Sequence, residues 1–201
     1  MQGRRVRKYP VEADEAFTDL AAIKRQQAWA RLRRTPRHLL GWIGLLPPPK
    51  MRHAAAHWRN DVTYVHAQLQ IAVSGVNVFR PPVARFEADS PPAAVGAAVL
   101  ESLAAYRAWA RYPDLRSEAA KALFHDFLQQ LDAKTNAQMM KGAKLVSISK
   151  DGHVIRLKPW RNAGARRGFE DMPSEVGIEL PADASHEAIG EALAEAFARC
   201  G

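Results

Sequence analysis

The sequence predicts an α+β fold: an antiparallel or mixed β-sheet with packed helices, built from two related β-hairpin–loop–helix units and preceded by an N-terminal helix. Three observations predict it. Runs rich in β-branched and aromatic residues occur in pairs around residues 62–79 and 144–158, each pair split by a turn signal. Amphipathic helical patterns follow each pair. The helices that close the two units also resemble each other in sequence. At 201 residues, 47% apolar and 25% charged, the chain has the composition of a globular protein with a real core.

Taken in order, the polar start (Arg4, Arg5, Arg7, Lys8) reaches Pro10, and a helix is expected from about Glu12 to Arg34, with Ala13, Ala16, Leu20 and Ile23 along one stripe. Thr35-Pro36 ends it, because the residue before proline is pushed out of the helical region. The apolar run from Leu39 to Leu46 stops at Pro47-Pro48-Pro49, a linker signal. Val62 to Val73 reads as a strand, Ser74-Gly75 as a turn and Val76 to Phe79 as a second strand. Ser90 fits an N-cap and Pro91 the first helical position of a helix whose inner face carries Val95, Ala98, Val99, Ser102, Leu103 and Tyr106. A helix from about Ser117 to Leu131 follows, with Ala120, Leu123, Phe124, Phe127, Leu128 and Leu131 as its stripe, then a short one around Asn136 to Met140. Lys144 to Ser149 and His153 to Lys158 read as a hairpin. Asp151-Gly152 between them has the form of a two-residue turn that needs positive φ at both positions. Val176, Ile178 and Leu180 alternate with polar or small residues as a half-buried strand does. Ser185 caps a last helix with Ile189, Ala192, Leu193, Ala196 and Phe197 on its inner face.

Aligning Ala84–Ala104 with Ile178–Ala198, a shift of 94, superposes seven identities, Gly96 on Gly190 among them, and the stripes Val95/Ile189, Val99/Leu193 and Leu103/Phe197. A glycine inside a helix costs about 0.5–1 kcal/mol relative to alanine, so a repeated one points to close packing. The sequence therefore divides into a basic segment, 1–60, and an α+β domain, 61–201, with an internal repeat of 61–111 in 143–201. The second unit carries about 17 extra residues, spent on a further strand and on a loop rich in Arg and aromatic residues. Trp160, Arg161, Arg166, Arg167 and Phe169 in that loop are the candidate recognition residues, since a loop on a rigid scaffold is where binding residues concentrate.

The net charge of +8 is unevenly placed. Residues 1–60 hold 13 Lys and Arg against 4 Asp and Glu, and residues 61–201 hold 16 against 17. A basic arm on a neutral body leaves a basic nucleic-acid-binding module as the alternative reading. No stretch approaches the ~20 apolar residues that span a bilayer. No apolar run follows the basic start, so no secretory leader is expected, and the single cysteine, Cys200, fits a cytoplasmic setting. His53 and His57 have i, i+4 spacing, which on a helix would place both on one face, but Ala54 stands where a zinc hydrolase needs Glu. His38, His66, His125, His153 and His186 are isolated and read as surface or packing residues. Glu170 and Asp171 are neighbours, whose side chains diverge. No catalytic residue, metal ligand or cofactor is assigned, and the expectation is a protein that is not an enzyme.

Met139 to Ile148, running into Lys150-Asp151-Gly152, then Pro159, then Val176 to Pro181, Asp183 to Gly190 and Ala196 to Cys200 form a distinctive order. It resembles the ending of the CdiI-type immunity proteins of bacterial contact-dependent growth inhibition. Asp89 to Gly96 and Leu103 to Arg107 resemble an earlier segment of the same family. The resemblance implies a cytoplasmic α+β protein that binds the C-terminal toxin domain of a CdiA-type effector and blocks it by occlusion. Such binding takes about 1,200–2,000 Å² of interface with a few aromatic and Arg anchors. An exposed strand edge could also accept a toxin strand. Inhibitors of nucleases are commonly acidic, and this near-neutral body departs from that pattern.

Overall fold

A computed structural model describes residues 49–71, 76–110, 117–173 and 176–201, together with Leu40 and Pro47. The helix expected over 12–34 and the turn at Ser74-Gly75 lie outside the described residues.

Eight strands form one sheet in the order β3-β2-β1-β5-β6-β7, with β4 against β2 and β8 against β6. The strands are β1 (Arg52–Arg59), β2 (Val62–Ile71), β3 (Asn77–Phe86), β4 (Arg107–Ala110), β5 (Lys144–Lys150), β6 (Val154–Asn162), β7 (Phe169–Asp171) and β8 (Ile178–Pro181). Four helices are described: α1 (Pro92–Ala104), α2 (Glu118–Gln130), α3 (Asn136–Met140) and α4 (His186–Ala198). All pairings are antiparallel except β2–β4, which is parallel, so the fold is α+β with a mixed sheet. β8 pairs with the first half of β6 and β7 with its last three residues, so the two short strands follow one another along the same outer edge.

The sheet begins at Arg52, inside the stretch assigned to the basic segment. There β1 is a central strand between β2 and β5, paired from Ala54↔Ala67 to Arg59↔Val62 on one side and from Arg52↔Lys150 to Trp58↔Lys144 on the other. His53 and His57 are therefore strand residues, and a helical pairing of the two is ruled out. Their turn is equally unexpected. Asn60 and Asp61, at φ 51° and 62°, are the pair in the left-handed region that a two-residue hairpin requires. Asp151 and Gly152 are not in that region. Their hairpin closes instead by an Asx turn, with the Asp151 carboxylate accepting from His153 N (2.8 Å) and Val154 N (2.9 Å).

Two helices begin and end as expected, but α1 stops at Ala104, so Tyr106, expected on its inner face, lies beyond it. Ser117 and Ser185 cap α2 and α4 by accepting from the backbone three residues on, at 3.2 and 3.1 Å. The start of α1 differs by one residue: Pro91 is the N-cap, Pro92 the first helical residue, and no side chain caps it.

α1 and α4 pack together on one face of the sheet. Val99, Leu103, Ile189, Leu193 and Phe197 meet Ala54, Ala56, Val65, Val146, Ile148, Ile155 and Leu157 in a core with no polar side chain among its buried members. The crossing is close because of the two glycines. A Cβ on Gly96 would stand 1.8 Å from the carbonyl oxygen of His186, the first residue of α4. A Cβ on Gly190 would stand 2.0 Å from that of Pro92, the first residue of α1. The contact is reciprocal, each helix meeting the other's first turn. Ala54 and Ala56, wholly buried, hold the central strand's surface low beneath it.

Among the described residues, the opposite face is covered only in part. Phe127, Leu128 and Leu131 of α2 and its end, with Met139 and Met140 of α3, pack on Val62 and Tyr64. Phe124, expected in the stripe, is 39% exposed.

Candidate functional site

The candidate surface is built on the last turn of the sheet's edge. The register of β6 and β7 sets Trp160 opposite Asp171, Arg161 opposite Glu170 and Asn162 opposite Phe169. Cross-strand neighbours lie about 4.5–5.5 Å apart, so charge pairs form where register puts opposite signs together. Arg161 reaches the Glu170 carboxylate at 2.5 Å, and Arg167 reaches its other oxygen at 2.5 Å. Arg161 first, helped by Arg167, holds the Glu170 carboxyl below the usual range. Asp171, the sequence neighbour, turns the other way and takes Lys158 at 2.7 Å. The two carboxylates are thus separate ion-pair partners.

The loop between β6 and β7 is closed by its own backbone. Ala163 N donates to Gly168 O (2.9 Å) and Gly168 N to Gly164 O (2.7 Å), with Gly164 and Gly168 at φ 82° and 78°. Both positions need a left-handed conformation that side chains resist. Asn162 ties the loop to the body: its amide donates to Met140 O and Ala143 O, both at 2.7 Å, and its oxygen accepts from Gly164 N at 2.9 Å.

The five residues singled out in the sequence fall in three environments. Trp160 lies on the sheet, its indole N–H donating to Ser147 Oγ at 2.9 Å, with the Lys158 ammonium 5.3 Å from its ring centre. Arg161 and Arg167 converge on Glu170, and Arg166 beside them is exposed. Phe169 is half-buried against the second core, its ring 6.0 Å from that of His57. Farther along the same strand, Arg156 bridges Asp151 (2.7 Å) and Glu179 (2.8 Å). Arg156, Lys158 and Trp160 alternate with the buried Ile155, Leu157 and Pro159, so they form one half-exposed row on the α2 side of the sheet.

At the border between the covered and uncovered parts sit two buried histidines. The rings of His57 and His66 stack at 5.4 Å, and Phe127 stands edge-on to both, at 5.8 and 5.1 Å. Burial drives both pKa values down, to about 3 for His57, where the neighbouring His66 adds to the effect, and to about 4 for His66. His66 Nδ1 lies 2.9 Å from Ala67 O, and His57 Nδ1 and His66 Nε2 have no hydrogen-bond partner. Nearby, Tyr64 donates to Asp132 (2.8 Å) and the Arg59 guanidinium to the carbonyls of Leu131 and Asp132, both at 3.1 Å. Cys200, just past α4, is half-buried, its thiol donating to Leu145 O at 3.4 Å, and burial raises its pKa. Among the described residues no three His, Cys, Asp or Glu side chains gather as metal ligands. None of the described helices is long and apolar enough to cross a membrane.

The fold and this surface define an α+β protein whose described residues leave one sheet face half covered, edged by an arginine-rich loop. A family model described as CdiI, CDI immunity protein, matches residues 50–200. The chain belongs to the CDI immunity protein family. Among curated proteins no match is found. Two solved structures share the fold. One is a protein of unknown function from Neisseria meningitidis, with 18% identity and a TM-score of 0.64 over 78% of this chain and 99% of that one. The other is a chain of the CdiA-CT/CdiI toxin and immunity complex from Yersinia pseudotuberculosis, with 17% identity and a TM-score of 0.63 over 77% of this chain and 100% of that one.

Proposed function

We propose that this protein binds the C-terminal toxin domain of a CdiA-type effector in the cytoplasm and neutralises it by occlusion, without catalysis or cofactor. The observation that carries the reading is the family match over residues 50–200, with a folded scaffold whose described residues leave one sheet face half covered. Trp160, Arg161, Arg166 and Arg167 supply the aromatic and guanidinium anchors that interfaces favour. Glu170 holds two of those arginines in place, which reduces the side-chain entropy lost on binding. Phe169 supports the loop from beneath.

Co-expression with the toxin domain encoded beside its gene is expected to give a complex that survives co-purification and to protect cells from that toxin. Separate elution of the two chains, with no protection, would overturn the reading. The net charge of +9 over residues 1–60 favours the second reading, a nucleic-acid-binding module. That reading predicts a mobility shift with DNA or RNA at ~50 mM salt that fades steeply as salt rises, and no shift there removes it.

A further inference from the structure

The helix layer carries two grooves, one beside the C-terminal half of each helix in the α1–α4 pair. The first, about 380 Å³, is lined by Trp58, Ala88, Lys144, Ala194, Phe197 and Ala198 among others. The second, about 660 Å³, is lined by Lys50, Leu100, Leu103, Ala104, Gly152 and Ala182 among others. These positions correspond at the same shift of 94 that aligns the helices: Lys50 with Lys144, Trp58 with Gly152, Ala88 with Ala182, Leu100 with Ala194, Leu103 with Phe197 and Ala104 with Ala198. The reciprocal contacts of Gly96 and Gly190 obey it too, since His186 stands 94 residues after Pro92.

The grooves differ in what lines them. In the first, the Trp58 indole packs on the core and the Lys144 ammonium lies 4.9 Å from its ring centre. In the second, the position of that indole is Gly152, where a Cβ would meet nothing within 4 Å. Lys50, the counterpart of Lys144, has no ring beneath it. The rim is basic. Lys50 and Arg52 are in no ion pair among the described residues, and the Lys150 ammonium rests on Ala182 O at 2.8 Å. Of the two acids there, Asp151 is held by Arg156 at 2.7 Å, which leaves Asp183. Past Ala104 an adjoining groove reaches Tyr106, whose buried hydroxyl has no hydrogen-bond partner.

We propose that the two halves are copies of one unit, and that the second groove is the docking site for an acidic segment of the toxin domain, whose aromatic side chain takes the place Trp58 fills in the first. The proposal rests on the toxin-binding reading and adds to it where, and by what chemistry, the partner is held. The first groove shows what such a site accommodates: an indole on Leu- or Phe-lined helix surface with a lysine over its face, an arrangement favoured by the ring quadrupole. The basic rim selects an acidic flank. It also disfavours the chain's own residues 1–49, which carry the same sign of charge, with 10 Lys and Arg against 4 Asp and Glu. The groove adjoins the start of β6 and the Trp160 loop its end, about 30 Å apart along the strand at ~3.3 Å per residue; the groove is in the helix layer and the Trp160 row on the other sheet face, so a toxin domain that uses both wraps the sheet's edge.

The test is to place in this groove the indole that lines its twin. Gly152→Trp is tolerated by the backbone, because Gly152 is outside the left-handed region and has open space around it. Titration of the full chain with the toxin domain encoded beside its gene is expected to show affinity falling about 30-fold or more, as for loss of a buried aromatic anchor, with thermal unfolding unchanged. The double variant Lys50→Glu/Arg52→Glu, whose side chains are on the rim and outside the core, is expected to weaken binding about 10-fold and to flatten its salt dependence. A wild-type chain that forms no complex overturns the function reading and, with it, this occupant. A wild-type complex that both variants form equally well overturns the groove alone. Binding of a labelled single-stranded RNA that is lost in Lys50→Glu/Arg52→Glu, with toxin binding intact, assigns the groove to nucleic acid and likewise overturns the proposal.

Discussion

The two faces of the sheet are built on opposite terms. The face under α1 and α4 is apolar throughout its buried core, and its helices cross so closely that only glycine fits at Gly96 and Gly190. The other face buries polar groups, His57, His66 and Arg59, under α2, and among the described residues leaves on β6 a half-exposed row of Arg156, Lys158 and Trp160. Apolar burial is non-directional and holds over a wide range of conditions. Buried polar groups tie stability to pH and to complete hydrogen bonding. The first face supplies the rigid frame, and the second carries the groups that are exposed to a partner or sensitive to the medium.

Acid should expose this difference most. His57 and His66 have folded-state pKa values depressed to about 3 and about 4 from an ordinary 6.5. Between those values and 6.5 the unfolded chain binds more protons than the folded one, so stability rises with pH there. Their neutral forms suit the fold above about pH 6.5, and stability is lost as pH falls below it, by on the order of 3–4 kcal/mol for the pair by pH 5. Denaturant unfolding between pH 7.5 and 5 measures it, and His66→Phe should remove much of the slope. A pH-independent midpoint would break the comparison.

The glycine crossing comes next. Gly96→Val sets a side chain against the backbone of His186 and is expected to cost about 3 kcal/mol, the upper part of the usual range for overpacking. A thermal melt within a degree of wild type would show that the helices are free to separate. The smallest effect belongs to the arginine-rich loop at the sheet's edge. Glu170→Gln loses two exposed arginine pairs, and unfolding free energy should shift by less than about 1 kcal/mol. The same change frees Arg161 and Arg167, so toxin affinity should fall while stability holds.

How much of this was legible in the sequence depended on where each element's determinants lie. α2 and α4 were readable because stripe and cap are local: Ser117 and Ser185 sit where serine caps act, and the inner residues of α4 are all buried. β1 was not readable. Its Arg-His-Ala-Ala-Ala-His-Trp-Arg sequence suits a helix, and only pairing with β2 and β5 makes it a strand. Its alanines answer to a close-packed helix layer that no local window contains. The hairpin turns show the same limit. Asp151-Gly152 carried the familiar signal, yet the Asp side chain closes that turn, while Asn60-Asp61 adopts the left-handed pair. The β6–β7 loop was conspicuous by its arginines and aromatics. Its order was hidden, because the pairing of Arg161 and Arg167 with Glu170 and the burial of Phe169 depend on the register of β7. The charge of the second groove was hidden too, since Lys50, Arg52 and Lys150 meet only once β1 and β5 pair.

The central claim is that this chain holds a toxin domain through the open face and its loop. Calorimetric titration of the toxin domain encoded beside its gene into the wild type, and into a variant with alanine at Trp160, Arg161, Arg166 and Arg167, tests it most directly. Phe169 stays in place because it packs in the second core. The account predicts tight binding by the wild type and a loss of at least about 100-fold in the variant, in keeping with removal of several anchors, at unchanged thermal stability. Equal affinity of the two chains, or no heat with either, would contradict it.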